Sequence, residues 1–218
     1  VIRGRLLSIV QGSMNDVLNT TNNISIEEMF SASSVVELDD FAETNKTFVS
    51  GLLALKAYEY SRNSDYGNAT KRLLVIEEAH NIVPNTEQKR VSSNIAMCSN
   101  HFTSMLAEVA AYGTGLVIID QRPTAVSPAV VANTGIKIIH NLQAGEDKTA
   151  VGASLGLTET EVNMISDLKV GQAIVKIPDS PEKCRVNINR NLIDANVVNW
   201  GVLFLGSNQQ HYVSPGVN

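Results

Sequence analysis

The chain has 218 residues, 44% of them hydrophobic and 18% charged, with a formal net charge of -5. That composition suits a folded body of one or two domains rather than a disordered chain, and it argues against coating nucleic acid by bulk charge, although a local basic strip inside a ring would not show in the total. No apolar run reaches the roughly 20 residues needed to cross a bilayer, and Val1-Ile2-Arg3-Gly4-Arg5 has no signal-like apolar stretch, so a cytoplasmic protein without a membrane segment is expected.

Ile2, Leu6, Ile9 and Val10 stand at helical spacing, which predicts a helical lead-in over residues 1–30, interrupted by the polar run Asn19 to Asn23. Ser25 with Glu28 three residues on marks a further, brief helix start. Ser34 to Leu38 is a strand candidate. From Glu43 to Arg62, Phe48, Leu52, Leu55 and Tyr58 share a helix face expected to rest on a sheet. After the loop residues Asn63 to Asn68, the continuous apolar run Arg72 to Ile76 predicts a parallel strand covered on both faces. A helix carrying Val91, Ile95, Cys98, Phe102, Met105 and Val109 follows, stopped by Gly113-Thr114-Gly115. Leu116 to Asp120 is another buried strand, Ile136 to Ile139 a short one, and Thr158 to Leu168 a helix capped by Thr158 with Glu161.

Gln172 to Ile177 and Arg185 to Asn189 are expected as an antiparallel addition at one sheet edge, and the tail at 191–218 as an arm. The alternation of strands and helices over 31–190 argues for an α/β fold with a mainly parallel sheet. Cys98 and Cys184 match neither a metal-ligand spacing nor a disulfide framework, so both are expected as buried thiols.

The sharpest chemical signal is Leu73 to Asn81, where an apolar strand ends in Glu77-Glu78. Strand alternation would point the two carboxylates in opposite directions. One could then hold the water shell of Mg²⁺ while the other orients water toward a γ-phosphate of ATP. The bland alternative is a strand that simply ends in solvent. A second buried strand ends in Asp120-Gln121-Arg122-Pro123, and the carboxyl ends of parallel strands form the ligand crevice of such sheets, so Gln121 is expected beside the carboxylates. His80 lacks a second histidine at helical spacing, because position 84 is Pro84, so an outer hydrogen-bonding role is favoured over metal ligation. Arg122 is either a phosphate contact or a structural ion-pair partner.

From Ile26 to Asn189 the chain resembles the second half of the HerA/FtsK superfamily of motor ATPases. The matching pieces are Ser25-Ile-Glu-Glu-Met, VIEEAHNIVP at 75–84, GLVIIDQRPTAVSPAVV at 115–131, His140-Asn141-Leu142 with Glu146-Asp147, and Gly171 to Val175. The resemblance implies a RecA-like P-loop ATPase core that hydrolyses ATP with Mg²⁺ and moves double-stranded DNA, as a homo-hexameric ring with a partner nuclease. It places Glu77 at the magnesium-water position, Glu78 at the catalytic position and Gln121 at the polar sensor that meets the nucleotide.

Two departures qualify that expectation. No segment reads Gly-x-x-x-x-Gly-Lys-Ser/Thr, so a cradle for the phosphates is missing from these residues, and Val109 to Tyr112 stands where the family carries a basic pair. The chain opens on Val1 in mid-pattern, so it is expected to be the C-terminal part of a longer ATPase, and the resemblance implies an upstream strand between Ile136 to Ile139 and Leu116 to Asp120. Other candidates for that place are Leu6 to Val10, Val202 to Leu205 and a strand of a second copy, the remaining alternative being collapse of the two strands into direct contact. The competing function is a non-catalytic scaffold with the same fold. A DEAH-type helicase is disfavoured by the Asp120 to Pro123 motif.

Overall fold

The computed structural model describes residues 14–15, 19–21, 24–63, 72–87, 103–105, 108–178, 180, 182–188 and 201–204. Their regular elements, in chain order, are α1 (Ile26–Ser31), β1 (Ser34–Glu37), α2 (Glu43–Asn63), β2 (Arg72–Ile76), β3 (Thr114–Ile118), α3 (Pro128–Asn133), β4 (Lys137–Ile139), α4 (Gly145–Leu155), α5 (Glu159–Met164), β5 (Gln172–Lys176), β6 (Cys184–Asn187) and β7 (Gly201–Phe204). They fall into two compact units, Val1–Asp65 with Asp194–Asn218, and Tyr66–Ile193.

In the first unit α1 begins where the sequence places it. The Ser25 hydroxyl accepts from the Glu28 N–H at 3.1 Å, and the Glu28 carboxylate accepts from the Ser25 N–H at 2.9 Å. Each bond satisfies a backbone donor that a helix start leaves free. The strand β1 pairs in parallel with β7, Ser34 opposite Gly201 through Glu37 opposite Phe204. Part of the tail expected as an arm is therefore a strand on β1.

Helix α2 forms over the expected residues but buries a different face. Phe48 and Leu52 are 42% and 37% exposed, whereas Val49, Ala57 and Ser61 are buried. These three positions lie on one four-residue row, and Val49 packs with Phe41 and Met14, flanked by Leu38 and Leu53. Small side chains allow close approach on that row, and the buried Ser61 hydroxyl is satisfied by the Ala57 carbonyl at 2.8 Å. Tyr60 stacks on Phe30 of α1, ring centroids 5.1 Å apart, so the contacts that orient α2 come from a helix and a turn.

In the second unit β2 and β3 pair in parallel, Arg72 opposite Thr114 through Ile76 opposite Ile118. On one face Leu74, Ile76, Leu116 and Ile118 pack on Ala79, Val83, Val126 and Val130. The alternate residues Leu73 and Val75 are 62% and 50% exposed, so the expected two-sided burial of β2 is corrected: the described packing partners all lie on one side. Most of the helix expected over 91–109 lies outside the described residues, as does Cys98. Residues 103–105 are helical, and Met105 and Val109 are buried.

The other sheet of this unit is antiparallel, with β5 between β4 and β6. The antiparallel addition is present, and it includes β4. Its inner residues Ile139 and Ile174 join Leu142 and Leu157 around Val151, Leu155 and Ile165. Cys184, expected to be buried, is exposed because it lies on the outermost strand. Among the described residues no strand pairs with β3 on the side away from β2, or with β4 on the side away from β5. Residues 202–204 are committed to β1, and Leu6 to Val10 lies outside the described residues.

Helix α4 ends at Gly156, whose φ of 67° is the left-handed geometry of a helix C-terminus. Thr158 and Glu161 then start α5 with a reciprocal capping box. Gly152 is where the two helices meet, since a Cβ built there would stand 2.4 Å from Val162 Cγ2. Gly152→Ala is therefore expected to destabilise the fold by about 1–3 kcal/mol from overpacking, despite the better helix propensity of alanine. Urea denaturation should show that loss, and the companion change Val162→Ala should recover part of it.

Candidate functional site

The extended run of β2 stops at Ile76, before the two carboxylates, so strand alternation does not set their directions. The ladder to β3 instead closes with two bonds, Ile119 N–H to the Ile76 carbonyl at 2.9 Å and Ala79 N–H to the Ile119 carbonyl at 3.3 Å. Between them the chain turns through Glu78, whose φ of 47° and ψ of 50° put a non-glycine residue in the left-handed region. Such a conformation costs on the order of 1–3 kcal/mol and persists only where its surroundings fix it.

The loops that leave β2 and β3 are fastened to each other. The Asn85 N–H donates to the Ala125 carbonyl at 2.7 Å, and the Ser127 N–H to the Val83 carbonyl at 2.8 Å. The Asn85 side-chain amide donates to the Thr124 carbonyl at 2.9 Å. From α4, one oxygen of the buried Asp147 accepts both the Thr124 N–H at 3.0 Å and its hydroxyl at 2.8 Å.

Asp120 organises the centre, and its side chain is only 5% exposed. One carboxylate oxygen accepts from the His80 N–H and from His80 Nδ1, both at 2.8 Å, and the other accepts from the Arg122 N–H at 2.7 Å. Arg122 Nη2 lies 2.8 Å from His80 Nε2, and Glu78 Oε2 lies 3.4 Å from His80 Nδ1. Gln121 Nε2 donates to Glu78 Oε1 at 3.1 Å. The structure thus brings Glu78, Gln121 and Arg122 together at the carboxyl ends of two parallel strands. Glu77 stands apart, exposed and without a hydrogen bond or ion pair among the described residues. Asp120, Asp147 and Asn85 were not singled out as site residues from sequence. The available signals were the position of Asp120 at the end of a buried strand, next to Gln121, and the place of Asp147 in one of the pieces that resemble the family.

Among the described residues one group of three side chains is close enough to be weighed as a cation site. One ligand atom each from Glu78, His80 and Asp120 lies within 4.8 Å of the others. His80 and Asp120 are already joined by a hydrogen bond, and the Arg122 guanidinium supplies positive charge beside them, so that cluster does not fit a metal ion. Glu77 instead offers one exposed carboxylate without a partner among the described residues, a ligand type that Mg²⁺ accepts.

No protein-family model matches the chain. Over 114 residues it is 32% identical to the probable DNA double-strand break repair helicase HerA of Methanocaldococcus jannaschii, a match covering 51% of this chain and 21% of that protein. A probable helicase of the same organism, MJ1565, is 30% identical over 107 residues, covering 48% of this chain and 19% of that protein. The chain thus spans about a fifth of the length of these curated relatives. Among solved structures, VirB4 of Thermoanaerobacter pseudethanolicus is similar with a TM-score of 0.53 at 16% identity, over 70% of this chain and 39% of that one. The genome packaging NTPase B204 of Sulfolobus turreted icosahedral virus 2, in complex with AMPPCP, gives 0.49 at 12% identity, over 75% and 86%. The chain is thus similar in sequence to these probable helicases over about half of its length, and its α/β fold is RecA-like, similar to that of VirB4.

The tie from α4 to the loop after β3 has a measurable consequence. Asp147→Ala is expected to cost about 1–3 kcal/mol, since it leaves the Thr124 N–H and hydroxyl without their shared acceptor. Thr124→Val, which removes only the hydroxyl, should cost less in the same urea titration.

Proposed function

We propose that this chain supplies the hydrolytic half of an ATPase site, and that the intact protein couples ATP hydrolysis to movement of duplex DNA. The observation that carries the reading is the Gln121 to Glu78 hydrogen bond at the ends of parallel β2 and β3, with Glu78 held in a left-handed turn. An amide donor on one carboxylate oxygen fixes the group while the other remains available to orient water and accept its proton. Glu77 would hold the hydration shell of Mg²⁺, which supplies charge neutralisation at the phosphates when bound. Arg122, exposed and cationic, is suited to phosphate oxygens.

The resemblance to HerA extends the proposal to a homo-hexameric ring with duplex DNA in its pore and a nuclease as partner. No helix among the described residues is long and apolar enough to cross a membrane. The sequence holds no Gly-x-x-x-x-Gly-Lys-Ser/Thr, so the phosphates must be cradled by residues outside it. Positioned groups act only on a positioned substrate, so the chain by itself is expected to show no ATP turnover.

In the intact protein Glu78→Gln is expected to leave ATP affinity within a few-fold while slowing hydrolysis roughly 10²- to 10⁴-fold. Equilibrium binding of a fluorescent ATP analogue beside steady-state phosphate release separates the two effects. Unchanged turnover, or a collapse of binding, would remove Glu78 from the catalytic role. Steady turnover by the isolated chain would show that the phosphate loop is not required.

A further inference from the structure

We infer that His80 is a positioning residue that aims Arg122: the neutral ring donates its single proton from Nδ1 to Asp120 and accepts the Arg122 guanidinium on Nε2. The inference deepens the nucleotide-site reading and rests on it for what the guanidinium meets.

The protonation state follows from the two partners. A guanidinium carries only donors, so at 2.8 Å from Arg122 Nη2 the His80 Nε2 must be the acceptor. An ionised carboxylate carries only acceptors, so at 2.8 Å from Asp120 Oδ2 the Nδ1 must carry the proton. Both ends require the same tautomer. A doubly protonated ring would set one N–H against another at the arginine.

Asp120 cannot easily turn away, because its buried carboxylate is also held by the backbone N–H groups of His80 and Arg122. The ring is therefore fixed from below and presents a defined lone pair upward. Arg122 is exposed, and beyond the His80 bond its guanidinium has no other partner among the described residues. A long, flexible cation is thus tethered at one nitrogen while its other donors remain available to an anionic oxygen. Ordering the side chain before the anion arrives removes part of the cost of binding and places charge where a phosphate would need it. The same ring lies 3.4 Å from Glu78, whose carboxylate is held by Gln121, so the guanidinium is tethered close to that carboxylate.

Two measurements test this. Long-range ¹H–¹⁵N spectra of the chain without nucleotide should show His80 at neutral pH with a protonated Nδ1 and a bare Nε2, the signal being assigned by its loss in His80→Gln. A charged ring, or a proton on Nε2, overturns the inference. In the intact protein, His80→Ala and Arg122→Ala are each expected to reduce kcat for ATP roughly ten- to a hundredfold, and the double variant to fall no further than Arg122→Ala alone. His80→Gln, whose amide oxygen can still accept from arginine, should recover part of the loss. Additive losses in the double variant would show that His80 acts independently of Arg122 and would also overturn the inference. Absence of turnover in the intact wild-type protein would instead sink the ATPase reading, and the tautomer spectrum would still decide whether His80 aims Arg122.

Discussion

The site depends on one nearly buried carboxylate. Asp120 ends the hydrogen-bonded stretch that follows β3 and accepts two backbone N–H groups and one imidazole proton, one of those backbone groups lying on the loop that follows β2. A buried charge is costly unless several donors meet it, and three do so here. Because the donors come from both loops, satisfying the charge also sets one loop against the other. Residues 40 apart in sequence are thereby placed within one site.

That anchoring also accounts for the left-handed turn at Glu78. The chain must leave β2 immediately after Ile76 and return its next N–H groups to Ile119 and Asp120, and only a sharp turn accomplishes this within three residues. The turn costs free energy, which the bonds of Ala79 and His80 offset. What it achieves is a carboxylate standing clear of the strand, beside Gln121, in place of one pointing along the pleat. Strain of this kind persists only where its surroundings fix it, and here that structural support can be named bond by bond.

Much of the fold was legible because the signals were local. Ser25 with Glu28, and Thr158 with Glu161, encode their helix starts through side chains three residues away. The strands at Arg72 and Leu116 were legible from apolar composition. Which face of α2 is buried was not, because Phe48 and Leu52 are larger and more apolar than the Ala57 and Ser61 row that the packing selects. The same limit applies to β2: a continuous apolar run shows that a strand can be covered on both sides but does not show where the partners lie. In the site, Glu78, Gln121 and Arg122 were found from the ends of the strands. The roles of Asp120 and Asp147 were not, since a carboxylate's importance there is set by donors that sequence separation conceals.

The spacing of the two motifs carries a further consequence. Glu77 and Glu78 are adjacent, yet the turn separates their environments: one is exposed and free of partners among the described residues, while the other is held by Gln121 and lies near His80. Two neighbouring carboxylates in equivalent surroundings would repel and compete for the same cation. The fold differentiates them, leaving Glu77 exposed and giving Glu78 a fixed orientation through Gln121. The Arg122 guanidinium, bonded to the imidazole beside Glu78, adds to the difference, because it supplies positive charge at that end. Under the proposed reading the same pair of acidic residues would serve two roles, both depending on Asp120 to keep His80 and Arg122 in place.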